Sequence, residues 1–349
     1  SMTIERKVGM GIAGQPSGAT DVAEVFSTDL WDGTYYNGNG LATTVNNGID
    51  LDGEGGLVWL KSRVITAPPA LYDTERGANS VLFSSTNNAA ESGSSDVLGS
   101  FTSTGFVTED NPTTNGAETA SANSGNKFVS WTFRKKSGFF DCVTYTGNGV
   151  AGREIAHGLD GPVGMLVVKC TSNADGWVVQ HKGLASGGTT IMLNSTGASY
   201  NAASIWNSTD ATSSKFTLGT DGSVNASGRT YVAYLFADNS SEDAEEQMIK
   251  CGSYTGDANV TQAIDLGWEP QWVLIKDATS TSNWYILDTM RGWTVNGAYG
   301  GDPTLFADSS NAESNQVAGE PTATGFNAIN DGINLSGKTY IYMAIRAPM

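Results

Sequence analysis

The chain alternates short apolar stretches with runs of Ser, Thr, Asn, Gly and Ala. Within the apolar stretches the period is two, the mark of strands rather than helices. In "GKTYIYMAIR" (Gly337 to Arg346), Ile341, Met343 and Ile345 alternate with Tyr340, Tyr342 and Ala344. "GRTYVAYLFA" (Gly228 to Ala237) puts Val232, Tyr234 and Phe236 on one face, and "NKFVSWTFRK" (Asn126 to Lys135) does the same with Val129, Trp131 and Phe133. Three strands with one apolar face in common predict a shared core. The opposite faces differ, with Ser130 and Thr132 in the first strand and Tyr340 and Tyr342 in the last. That second face is expected to meet another sheet or another unit.

These strands belong to an internal repeat. "DCVTYTGNG" (Asp141 to Gly149) returns as "KCGSYTGDA" (Lys250 to Ala258), and the step from Cys142 to Cys251 equals that from Tyr231 to Tyr340, 109 positions. "GLVWLKSR" (Gly56 to Arg63), "GMLVVKCT" (Gly164 to Thr171) and "QWVLIKDA" (Gln271 to Ala278) are a third matching set, each an apolar strand ending in Lys61, Lys169 or Lys276. Repeats at a fixed period decide the architecture. The organisation expected is an N-terminal arm at 1–21, β units at 22–136, 137–239 and 246–349, and an acidic linker at 240–245. The fold class is all-β, with three related sandwich-like or jelly-roll units in tandem or around a pseudo-threefold axis.

One stretch, "GINLSGKT" (Gly332 to Thr339), satisfies the phosphate-loop pattern G-x-x-x-x-G-K-[ST]. A phosphate loop must open a helix, so that backbone N–H groups and the helix N-terminus converge on the anion. Here an alternating strand follows, and the counterpart "NASGRT" (Asn225 to Thr230) also leads into a strand. A turn is the expected role.

"DTERG" (Asp73 to Gly77) and "DTMRG" (Asp288 to Gly292) recur, with "VQHKG" (Val179 to Gly183) set at the same place in the second unit. An Asp and an Arg three residues apart can clamp a ligand, but more often they stabilise their own turn. "DLDGEGG" (Asp50 to Gly56) resembles part of a calcium loop without its later Glu, so a turn is again expected and no metal is assigned. Cys142, Cys170 and Cys251 have no C-x-x-C spacing and are expected as free structural thiols. The histidines, His157 and His181, accompany no nucleophile motif. No catalytic residue and no cofactor is assigned.

Composition narrows the function further. With 19 basic and 36 acidic residues the formal charge is -17, which opposes nucleic acid and anionic lipid as partners. No apolar run reaches the roughly 20 residues of a membrane helix, so no membrane insertion is expected.

At "VTYTGNGVAGREIAHGLDGPVGMLVVK" (Val143 to Lys169), "YVAYLFA" (Tyr231 to Ala237) and "LGWEPQWVLIK" (Leu266 to Lys276) the chain resembles a domain family of uncharacterised function in predicted tail-fibre and tail proteins of marine bacteriophages. The resemblance covers residues 22 to 349, departs most in the first unit, and brings no active-site residues. It implies a non-enzymatic virion protein of the tail or tail fibre, assembled in the host cytoplasm and contributing to attachment to a host surface glycan or receptor. A purely structural adaptor or capsid decoration protein and a surface-polysaccharide hydrolase are the alternatives. Other virion proteins are expected partners, through residues 3–20, and a homotrimer is the assembly that the resemblance implies. Exposed aromatic rings would stack on sugars. Trp206, Trp293 and Tyr299 are the glycan-binding candidates because their surroundings read as loops, with capping of the sandwich ends as the structural alternative.

Overall fold

The computed structural model describes residues 21–34, 42–93, 96–109, 111, 113–116, 126–243, 245–259, 261–295, 301–316, 318–329 and 332–349. Among these, strands dominate, and the α-helices are single turns at Ala203–Trp206 and Gly222–Asn225. Each unit contributes one six-stranded antiparallel sheet with the same strand order. An opening strand (Phe26–Asp32, Phe140–Thr146, Ile249–Thr255) pairs with the closing strand (Lys127–Arg134, Thr230–Ala237, Thr339–Arg346). On its other side the closing strand pairs with the lysine strand (Gly56–Ser62, Val163–Cys170, Pro270–Asp277). A fourth strand (Ala70–Asp73, Trp177–His181, Trp284–Asp288), a fifth (Ser80–Phe83, Thr189–Met192, Asp302–Phe306) and a short edge strand (Glu91–Ser92, Tyr200–Asn201, Ser314–Gln316) complete it.

A smaller antiparallel sheet makes each unit a sandwich. It has three strands in the first unit (Thr44–Asn46, Gly105–Thr108, Leu98–Thr102) and in the third (Thr261–Asp265, Gly325–Ile329, Gly319–Thr322), but two in the second (Arg153–Ala156, Lys215–Leu218).

Because the closing strand is flanked on both sides and covered on both faces, nearly all its residues are buried. Its first face is the one the sequence marks as common: Val129, Trp131 and Phe133, Val232, Tyr234 and Phe236, and Ile341, Met343 and Ile345 all enter one cluster spanning the three units. Phe133 of the first unit meets Phe236 of the second at 5.3 Å between ring centroids and Trp272 of the third at 6.0 Å. The second face meets the small sheet of its own unit. In the third unit Tyr340 and Tyr342 pack with Phe326; in the first, Thr132 accepts a 3.2 Å hydrogen bond from Asn47 Nδ2. Burying apolar area on both faces contributes about 25 cal/mol per Å², which is why a sandwich needs two patterned faces.

The three units close into a ring. At each junction two backbone hydrogen bonds recur at matching positions: Ala90 N to Thr171 O and Asp175 N to Asn87 O, Ser199 N to Ala278 O and Ser282 N to Thr196 O, Glu313 N to Arg63 O and Ala67 N to Ser310 O, all 2.8 or 2.9 Å. A tandem array would leave the third of these pairs unmade. The arrangement is therefore pseudo-threefold.

Gly332 to Thr339 is a turn feeding the closing strand. Gly337 has φ +70°, a conformation that favours glycine, and the Leu335 N–H donates to the Tyr340 hydroxyl at 3.0 Å. In the second unit the Ala226 N–H donates to the Tyr231 hydroxyl in the same way, at 2.8 Å.

Candidate functional site

Buried charge concentrates where units meet. Asp73 accepts from the Arg76 backbone N–H at 2.9 Å and from its Nε at 2.6 Å, so the pair does hold its own turn. It does more than that, because Asp73 Oδ2 also accepts from the Tyr234 hydroxyl of the second unit at 2.7 Å. The third unit repeats the device: Asp288 accepts from Arg291 N at 2.9 Å and Nε at 2.5 Å, and from Trp131 Nε1 of the first unit at 3.0 Å. Arg291 lies over the Trp131 ring, 5.5 Å from its centroid. Strand register explains the match, since Asp73 pairs with Leu57 and Asp288 with Trp272 at equivalent points of the lysine strands.

The same register corrects the alignment of "VQHKG". Met165, the equivalent of Leu57 and Trp272, pairs with His181, so His181 and not Val179 stands in the aspartate position. Leu184 stands where the other units have arginine, and Lys182 pairs with Asp238. The donor from the next unit also changes, because the place of Tyr234 and Trp131 is taken by Met343. His181 solves the mismatch by bonding to the main chain. Its Nδ1 accepts from the Gly183 N–H at 2.9 Å, which puts the proton on Nε2, and Nε2 donates to the Tyr342 carbonyl at 3.0 Å. Burial holds its pKa down, to about 4, so the ring is neutral.

The repeated lysines are junction groups as well. Lys169 Nζ donates to Asn87 O at 3.3 Å and Lys276 Nζ to Thr196 O at 3.1 Å, each reaching into the preceding unit. Lys61 donates to Ala67 O at 2.7 Å, whose own N–H bonds across to Ser310. Burial lowers all three, Lys61 to about 7 and the others to about 8.

Outside these lysines runs a belt of turns. Loops around 63–69, 171–176 and 278–283 clasp loops around 84–90, 193–199 and 307–313 of the adjoining unit through the paired backbone bonds. Its exposed side chains are mostly amides and hydroxyls: Asn87, Asn173, Thr196, Thr281 and Asn311. Tyr200, next to the clasp residue Ser199, is 44% exposed on an edge strand. No sequence motif marks Tyr200; its exposure follows from its place on a two-residue edge strand.

The rings singled out from sequence fare differently. Trp206 and Trp293 are both fully buried, so neither offers a face to a sugar. Trp206 ends the short Ala203–Trp206 helix and joins the core shared by the units, and Trp293 donates through Nε1 to Gly319 O at 2.9 Å against the small sheet of the third unit. Tyr299 lies outside the described residues. Asp50 accepts from the Gly53 N–H at 2.7 Å, the contact of a turn. The three cysteines are free and buried, and burial pushes the Cys142 and Cys251 thiols well up. Cys142 and Cys251 occupy matching positions at different junctions, opposite Tyr234 and Met343.

A family model described as a domain of unknown function (DUF7483) matches residues 27–347. The chain belongs to this family. One DUF7483 match embraces all three sandwiches. No curated protein matches the chain. No solved structure matches it either.

Proposed function

We propose that this DUF7483 chain is a non-enzymatic bacteriophage virion protein of the tail or tail fibre, whose belt of turns touches a glycan or other receptor on the host surface. The phage setting rests on the sequence resemblance. The binding role rests on one observation: the buried polar and charged groups at the junctions are engaged in joining units, whereas the exposed side chains of the belt are mostly neutral donors and acceptors with an exposed tyrosine beside them. A sugar is recognised by that chemistry, an aromatic face for its C–H surface and amides and hydroxyls for its hydroxyls. Loops held on a rigid scaffold can carry such a surface without disturbing the fold.

The junction faces are closed within one chain, so the isolated chain is expected to be a monomer in light scattering, and a homotrimer in the virion needs contacts outside those faces. Glycan-array binding with a product assay tests the reading. Binding without turnover, weakened about tenfold by Tyr200→Ala with unchanged melting, supports it. Turnover identifies a polysaccharide hydrolase. Neither binding nor turnover identifies a structural adaptor.

A further inference from the structure

We infer that the junction between the third and first units is a latched seam, held shut by the alternating charges of Arg63, Glu313, Arg291 and Asp288. The first and second units are joined by the chain at 135–139, and the second and third at 238–248. The third and first are joined by no peptide link within the ring. A covalent tether keeps two faces at an effective concentration in the millimolar range, so the untethered pair must rely on its own contacts.

Among the described residues, an ion pair crosses the belt clasp at that junction alone. Arg63 grips Glu313 in two-point fashion, Nε to Oε2 at 2.9 Å and Nη2 to Oε1 at 2.7 Å. Glu313 Oε2 also accepts from Arg291 Nη1 at 3.2 Å, and Arg291 Nε donates to Asp288 at 2.5 Å. Asp288 in turn accepts from Trp131 of the first unit. At the tethered junctions the equivalents of Arg63 are Thr171 and Ala278, and those of Glu313 are Ala90 and Ser199. Neither pair can form an ion bridge. Both Arg63 and Glu313 keep some exposure, 18% and 15%, so the outer end of the latch is reachable by solvent and salt. Opening there would uncover the aromatic cluster of Phe26, Trp131 and Trp272, whose rings lie 6.1 and 6.5 Å apart.

Amide hydrogen exchange on the full chain tests the latch, with Glu313→Gln as the probe and Glu75→Gln, which breaks the Lys135 bridge beside a tethered junction, as the control. Glu313→Gln should speed exchange of the seam amides at positions 67 and 313 about tenfold, while Ala90, Asp175, Ser199 and Ser282 keep their rates. The control should change none of the seam amides. Should the variant fail to fold, salt titration of the unaltered chain reads the same latch at positions 67 and 313 against Ala90, Ser199 and Ser282, since screening acts on the partly exposed seam pair and, among the described residues, no ion pair crosses the clasps that hold those three. Equal acceleration at all three junctions, or seam amides indifferent to both the substitution and salt, overturns the inference.

Discussion

The first–second and second–third junctions occupy matching places in the ring and solve the same problem with different chemistry. At the first, an Asp73–Arg76 pair receives the Tyr234 hydroxyl; at the second, His181 donates to a main-chain carbonyl beside Met343. A methionine offers no hydrogen for an aspartate to accept. With the donor gone, a buried carboxylate would be left short of a partner and a buried guanidinium would be left without its anion. The sequence removes both, placing His181 and Leu184 there. The position therefore requires a satisfied hydrogen-bond set, and the residue identities follow as a group.

The strongest way to break this comparison is to remove the anion where the cation is buried. Asp288→Ala should cost about 3–5 kcal/mol in urea unfolding, because Arg291 and the Trp131 N–H both lose their partner in a dry site. His181→Asp should cost about 3 kcal/mol, since a carboxylate would face the Tyr342 carbonyl without an arginine. Adding Leu184→Arg and Met343→Trp rebuilds the charged clasp, and recovery of part of the loss would show that the three positions act together.

Acid should distinguish the junctions more gently. His181 has a folded-state pKa near 4 against an ordinary 6.5, so between those values the unfolded chain binds the extra proton. The stability it contributes is complete above about pH 6.5 and is lost as pH falls toward 4, on the order of 3 kcal/mol in all. Asp238 and Lys182 face the same group with opposing effects. A His181→Asn chain should lack this share of the slope when melting is followed from pH 7 to 4. The smallest effect belongs to Lys338→Ala: the turn is held by main-chain bonds and Tyr340, so melting should be unchanged, with no ATP-dependent rise in Tm before or after the substitution.

The pattern of Ile341, Met343 and Ile345 and its two counterparts made the shared core legible in the sequence, because a period of two survives even where residues have diverged. The turn role of "DTERG" was legible too, being local. Its second role was not, since Tyr234 lies 161 positions from Asp73 and Trp131 lies 157 from Asp288. Alignment on the Lys182–Gly183 pair hid His181, because a basic residue next to glycine looks like the arginine turn while the strand register runs two residues away. Trp206 and Trp293 read as surface rings because polar residues flank them, yet a single helical turn or a Gly319 carbonyl suffices to fold each indole inward.

Each belt clasp is a pair of bonds between main-chain atoms, present in the same form beside Ala90, Ser199 and Glu313. Every amino acid except proline carries that donor, and all of them carry the acceptor. The ring's outer loops are thus anchored by the part of the polypeptide that mutation leaves alone. A surface moored in this way can exchange its displayed chemistry residue by residue while its scaffold stays in register, the condition under which recognition can drift quickly on an unchanging frame.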